Sequence, residues 1–211
     1  MSQVLALAAH DLKNALGGLE AELARLAEAP DAAAAHAAHH HCQDLRQQFV
    51  HFLTLYGAEQ GQLRALCEDE SATDLIASLQ TRWTARLAAE GSAVAIDVRI
   101  APDCPPFHHF DRRLVYMALD AAVHNAARFA AARMTLHVGA SRHGEHQGLR
   151  FAVEDDGPGL GHHDGLATAT GLGTALCEAV AAAHQLGALR GAVSLQNRPD
   201  ASGCCFSLWL P

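Results

Sequence analysis

Leucines recur near the start of the chain at Leu5, Leu12, Leu16, Leu19, Leu23 and Leu26. Spacings of seven, four, three, four and three are those of a helix that buries a single seam. The pattern predicts a helix over residues 3–28, broken at Ala29-Pro30-Asp31, with Asp31 able to cap the next helix. That second helix is predicted from residue 32 to the mid-50s, or as far as 66. Its stripe is Cys42, Leu45, Phe49, Phe52 and Tyr56, continued by Leu63 and Leu66, with Gly57 and Gly61 loosening its end. One such hairpin cannot cover its own stripe, so pairing two hairpins in a four-helix bundle is the simplest solution.

Beyond about residue 67 the period changes. Residues 73–89 read as a helix, with Asp74 in the first turn and Gly91 past the end. Residues 93–100 alternate and are rich in β-branched side chains, the pattern of a strand. Pro102, Pro105 and Pro106 mark a loop, and 111–131 reads as a long helix. Strands are expected at 134–140 and 149–154, a glycine-rich loop at 155–171, a helix at 172–184 and a last hairpin at 192–196 and 205–210. This order predicts an α+β chain: a two-helix hairpin, then an α/β sandwich of one mixed sheet with helices on one face. The domain boundary is expected near residue 66, giving 1–66 and 67–211.

Composition narrows the function classes. Of 211 residues, half are hydrophobic and 18% charged, which is globular rather than disordered. A formal charge of −8 argues against nonspecific nucleic-acid binding. No apolar run approaches the roughly 20 residues of a membrane span. The opening MSQVLALAAHDLKN has no basic leader region. The sequence therefore reads as cytoplasmic, with neither nucleic acid nor membrane as partner. The six cysteines form no C-x-x-C pair and read as reduced thiols.

Candidate chemistry begins at His10. On a helical wheel it lies opposite the leucine seam, with Asn14, Gly17 and Ala21 beside it. The imidazole thus sits on a face of polar and small side chains that a large partner can approach. Asp11 follows directly and can accept its ring proton, leaving one nitrogen nucleophilic. Taken alone, a solvated surface histidine explains the same residue. Three later motifs each have a chemical use. Asn125, in Asn125-Ala126-Ala127-Arg128-Phe129 at a helix end, can ligate Mg²⁺ through its amide oxygen. Asp155, in Asp155-Asp156-Gly157-Pro158-Gly159 after a strand, can accept from an exocyclic amine while the glycines let the backbone approach. Gly171 and Gly173 open a helix whose N–H groups suit a phosphate. Each motif is weak alone; their order on these elements is specific. His36, His39, His40, His41 and Cys42 cluster at the second helix start, with His36 and His40 spaced for Zn²⁺, but no second cluster completes a site.

His10-Asp11-Leu12-Lys13-Asn14, with the Asn125, Asp155-x-Gly157-x-Gly159 and Gly171-x-Gly173 motifs, resembles the catalytic core of bacterial sensor histidine kinases, over nearly the whole chain. The resemblance implies a dimerisation and histidine-phosphotransfer hairpin, then an ATP-binding domain of the gyrase, HSP90 and histidine kinase type. It makes His10 the phosphoacceptor, Asp155 the reader of the adenine amine and Asn125 the Mg²⁺ ligand. The cofactors implied are ATP and Mg²⁺; the partners are a second copy of the chain and a response regulator receiver domain. It gives Asn14 a part in dephosphorylating that regulator. Three positions depart from the family pattern. Ala15 replaces the usual proline, and Ala121 the usual first asparagine, with Asp120 adjacent. Only eleven residues, LGHHDGLATAT, separate Gly159 from Gly171, with no Phe, Lys or Arg among them, which leaves Arg128 as the nearest cation for phosphates. The short segment opens an alternative: an ATP-independent phosphotransferase of a phosphorelay with a degenerate second domain. A pure binding or scaffolding module of the same superfamily is the third reading.

Overall fold

The computed structural model describes residues 3–161, 171–199 and 201–211. They form two compact units, residues up to 63 with 171–176 in one and the remaining described residues in the other. The first is built on α1 (Gln3–Glu28) and α2 (Ala32–Glu59). The three residues between them reverse the chain. Asp31 is extended and its carboxylate accepts from the Ala34 N–H at 2.7 Å, which satisfies one of the free donors at the start of α2. His41 of α2 stands 3.2 Å from the Glu22 carboxylate of α1.

The leucine seam is only partly covered. Leu5 and Leu19 are buried, whereas Leu16 and Leu23 stay 48% and 52% exposed. In α2 the buried residues are Ala38, His51 and Leu55. The expected stripe lies off that line: Cys42 is exposed, Phe49 and Tyr56 remain about half exposed, and only Leu45 and Phe52 are partly covered. A second line of α2, through Ala38, His51 and Leu55, is the buried one, while the aromatic line stays largely uncovered.

The second unit is an α/β sandwich. Its elements are β1 (Glu68–Glu70), α3 (Ala72–Ala89), β2 (Ala95–Ile100), β3 (His108–Phe110), α4 (Arg112–Phe129), β4 (Arg133–His143), β5 (His146–Asp155), most of α5 (Leu172–Ala183), β6 (Gln185–Leu186), β7 (Leu189–Arg190), β8 (Ala192–Asn197) and β9 (Cys204–Leu210). The main sheet runs β2-β4-β5-β9-β8. Only β2 and β4 are parallel, so the sheet is mixed. Register explains the layering. Leu136 pairs with Val153, and Val153 with Phe206, so these side chains share one face. That face is buried together with Leu75, Leu79, Leu114 and Leu119 of α3 and α4. Two features go beyond the sequence reading. β4 and β5 run on past the apolar stretch as a long hairpin, and two short pairs form, β1 with β3 and β6 with β7.

Among the described residues, no helix is long and apolar enough to cross a membrane.

Candidate functional site

Asp155 is the last residue of β5, where the strand leaves the sheet. Its side chain is buried, 6% exposed. Its Oδ1 accepts from the Gly157 N–H at 2.9 Å and from the Cys204 N–H at 3.3 Å. Two backbone donors therefore orient the carboxylate and compensate part of its desolvation. The surrounding backbone must come close. A side chain at Gly157 would collide with the Phe129 carbonyl, and one at Gly203, at φ +106°, with the Asp155 carbonyl. Beside the carboxylate, burial pushes the Cys204 thiol up, and the charge of Asp155 adds to the rise.

Asp156 fastens this loop to the end of α4. Its Oδ1 accepts from the N–H groups of Ala131 and Ala132 at 2.8 and 3.0 Å. Burial opposes its charge, but those donors and the Arg133 N–H hold its carboxyl below the usual carboxylate range. A folded value below the unfolded one stabilises the fold at neutral pH, and that contribution is lost as pH falls through the folded value. Asp156→Ala is expected to lower thermal stability by about 1 kcal/mol, a few degrees, at neutral pH. Melting curves should converge with those of the parent in strong acid.

The same anchor places α4. Asn125 and Arg128 lie on its last turns and are exposed, with the Arg128 guanidinium over the Phe129 ring at 5.5 Å. Asp120 does not stand in for the missing first asparagine: it is buried, accepting from the Trp83 indole at 2.8 Å and facing Arg82 at 3.6 Å. The anion has a structural partner already. The loop's far end is tied by Asn197, whose Oδ1 accepts from the Leu160 N–H. Asp156, Asn197 and Cys204 escaped the sequence reading. The second acid of the Asp-Asp-Gly motif was the one signal available; the other two act through backbone geometry.

Asn125, Arg128, Asp155, Gly157 and Gly159 thus lie in one unit, joined by the contact of Gly157 with the end of α4. Gly171 precedes α5, its carbonyl accepting from Ala175 at 2.9 Å, and Gly173 lies in the first turn; both group with the helical hairpin unit. So does His10, which is exposed on α1 next to half-buried Asp11 and one turn before exposed Asn14. His162 and His163, with the rest of residues 162–170, lie outside the described residues.

The donor set suits a nucleotide better than a bare metal. A held carboxylate can accept from an exocyclic amine. Among the described residues no three His, Cys, Asp or Glu side chains converge as a metal site. That includes His36 and His40; within their cluster His39 bonds Gln43 at 2.8 Å. Asn125 alone could hold Mg²⁺ only with phosphates and water completing its shell.

Comparison with known proteins finds similarity over this part of the chain. Residues 110–211 match the family described as Histidine kinase-, DNA gyrase B-, and HSP90-like ATPase. Over 117 residues, 49% of the chain, the sequence is 30% identical to Sensor protein KdpD of Escherichia coli strain K12, of which it spans 12%. Among solved structures, the Acinetobacter baumannii histidine kinase AdeS aligns at TM-score 0.72 and 22% identity, covering 95% of this chain and 96% of that one. The cytoplasmic segment of histidine kinase QseC aligns at 0.55 and 16%, covering 78% and 94%. Full-length ShkA in complex with AMPPNP aligns at 0.56 and 21%, covering 99% and 45%. Residues 110–211, just under half the chain, are therefore similar to the domains of this ATPase family. The chain as a whole has the fold of a histidine kinase catalytic core.

Proposed function

We propose that the protein is a two-component histidine kinase core that phosphorylates His10 from ATP and passes the phosphoryl group to an aspartate of a response regulator receiver domain. The observation that carries this reading is Asp155, a buried carboxylate held by two backbone donors in a glycine cradle at a strand end. That geometry is intact, where a degenerate nucleotide domain would have no need of it. In the reaction, a ring nitrogen of His10 forms a bond to the γ-phosphorus while the bridging P–O bond breaks and ADP leaves. Asp11 is placed next in sequence to receive the ring proton. Asn125 would hold Mg²⁺, which supplies charge neutralisation for the transferring phosphoryl. Arg128 and the Gly171–Gly173 turn would bind phosphates. The test is incubation with γ-labelled ATP and Mg²⁺, with His10→Ala as control.

The short Gly159–Gly171 segment, with no Phe, Lys or Arg, favours one second reading. There, His10 exchanges phosphate only with receiver domains and the second unit binds no ATP.

The kinase reading includes a homodimer through the hairpin, on residues 1–66 as its domain, with the sandwich on 67–211. Leu16, Leu23, Phe49, Leu53 and Tyr56 are about half exposed in one chain, and covering the exposed half of each is worth roughly 1 kcal/mol, about half the value for a fully exposed side chain. Phe49→Asp and Leu23→Asp are expected to convert a dimer to monomer in sedimentation. Leu19 is already buried within one chain, so Leu19→Asp should damage folding as well. A wild-type mass near 22.3 kDa in solution would reject the dimer.

Asn14 is one turn from His10, where its amide can orient a water. Asn14→Ala is expected to spare transfer to the regulator and slow loss of the regulator's phosphate about tenfold or more. Equal dephosphorylation by both proteins would exclude the role.

A further inference from the structure

His184 follows α5 and is buried, 2% exposed, with no part in the reaction above. Its Nε2 accepts from the Asp111 N–H at 3.0 Å, so the ring proton sits on Nδ1, 2.7 Å from the Val180 carbonyl. Asp111 is buried too, 4% exposed, and caps α4. One of its carboxylate oxygens accepts from Leu114 N–H at 3.0 Å and the other from Leu66 N–H at 2.9 Å. An unbroken line of hydrogen bonds therefore runs from Leu66 through Asp111 and His184 to Val180. Its ends fall near two boundaries of the chain. Leu66 comes just after the boundary at residues 63 and 64, and α5 contains the boundary at 176 and 177.

We propose that His184 and Asp111 form a proton-sensitive relay that fastens the segment following α2 to the end of α5, and that protonating His184 releases Leu66. A proton on Nε2 would turn the acceptor of the Asp111 N–H into a donor, setting donor against donor. The chain would then have to move at Asp111, and the carboxylate that holds Leu66 moves with it. The groups facing the ring are Asp111 at the α4 cap and His108 of β3, whose own Nε2 is 3.0 Å from the Pro211 carbonyl. Arg113 stands 3.9 Å from Asp111, and Cys67 lies beside it. Asp111 favours a charged imidazole, and so does the Val180 carbonyl; burial outweighs both and pushes His184 below its ordinary range. The relay is therefore complete above the ordinary histidine range and is lost as pH falls below it.

Its use in signalling rests on the histidine kinase reading. Leu66 lies between the phosphoacceptor hairpin and the nucleotide domain, and α5 opens at the glycine turn assigned to phosphates. The relay would make both answer to one buried proton.

The test is amide hydrogen exchange of Leu66, read by NMR as a protection factor at about pH 7.5 and about pH 5.5, in wild type and His184→Gln. Gln keeps one donor and one acceptor but cannot titrate. ADP titrations at both pH values accompany it. Wild-type protection is expected to fall about tenfold or more, with ADP affinity falling alongside, while His184→Gln changes less than about threefold. Equal falls in both proteins, or none in wild type, would overturn the relay. Should His184→Gln fail to fold, the wild-type imidazole resonances decide: His184 must titrate with the midpoint of the Leu66 loss, and a different midpoint rejects the relay. Wild type that binds no ADP at either pH removes the kinase reading, while the Leu66 pattern still decides the relay.

Discussion

His10→Gln is expected to reduce phosphate incorporation from γ-labelled ATP by about a hundredfold or more, leaving the fold unchanged. Imidazole offers an unshared nitrogen pair to phosphorus; the lone pair of a glutamine amide is delocalised into its carbonyl. His10 is exposed in the middle of α1 and has no buried contact to lose. Gln is a good helix former, so the substitution should leave stability within about 0.5 kcal/mol. Circular dichroism and solution mass are the controls. The phosphate on wild type should be lost in acid and kept in base, as a P–N bond requires. Label at normal stoichiometry on His10→Gln would refute the assignment. Wild type that takes no label from ATP, yet receives phosphate on His10 from a phosphorylated receiver domain, would establish the phosphotransferase instead.

The leucine period of α1 and the alternation at residues 93–100 made the two-part architecture legible, because a change of period in the sequence marks a change from helix to strand. The choice of face in α2 was not legible. Its aromatic line has the stronger hydrophobic signal, yet Ala38, His51 and Leu55 are the buried residues, and an alanine and a histidine carry little hydrophobic signal of their own. The strands Glu68–Glu70 and His108–Phe110 were invisible for another reason: three mostly polar residues carry no alternation. At the site, glycine and aspartate spacing pointed to Asp155, because close backbone approach demands glycine. The groups that hold Asp155 were hidden. The donors are main-chain N–H groups of Gly157 and Cys204, and any residue type supplies those. Asp120 was noted only as the neighbour of the missing asparagine, and the Trp83 indole on its carboxylate reveals a structural duty that its position in the sequence could not show.

Asp155→Asn is expected to weaken ADP and ATP binding by about tenfold to a hundredfold, the cost of one charge-assisted contact of roughly 1.5–3 kcal/mol. The geometry gives a sharper form of this result. Oδ1 accepts from Gly157 and Cys204, so an asparagine must keep its oxygen there to avoid two unpaired buried donors. Its NH₂ group is then forced to the position of the second carboxylate oxygen. A donor would face the amino group of adenine, where the parent offers an acceptor. The same NH₂ would suit the exocyclic carbonyl oxygen of guanine, so GDP should lose less affinity than ADP, or gain some. Because residues 160–170 contain no Lys or Arg, the parent should also bind ADP and ATP within about tenfold of each other. Calorimetric titration of parent and Asp155→Asn with ADP, ATP and GDP, each with Mg²⁺, checks all three expectations. Unchanged ADP affinity in the variant would show that Asp155 does not read the base. No heat from the parent at millimolar nucleotide would reject the ATP site itself.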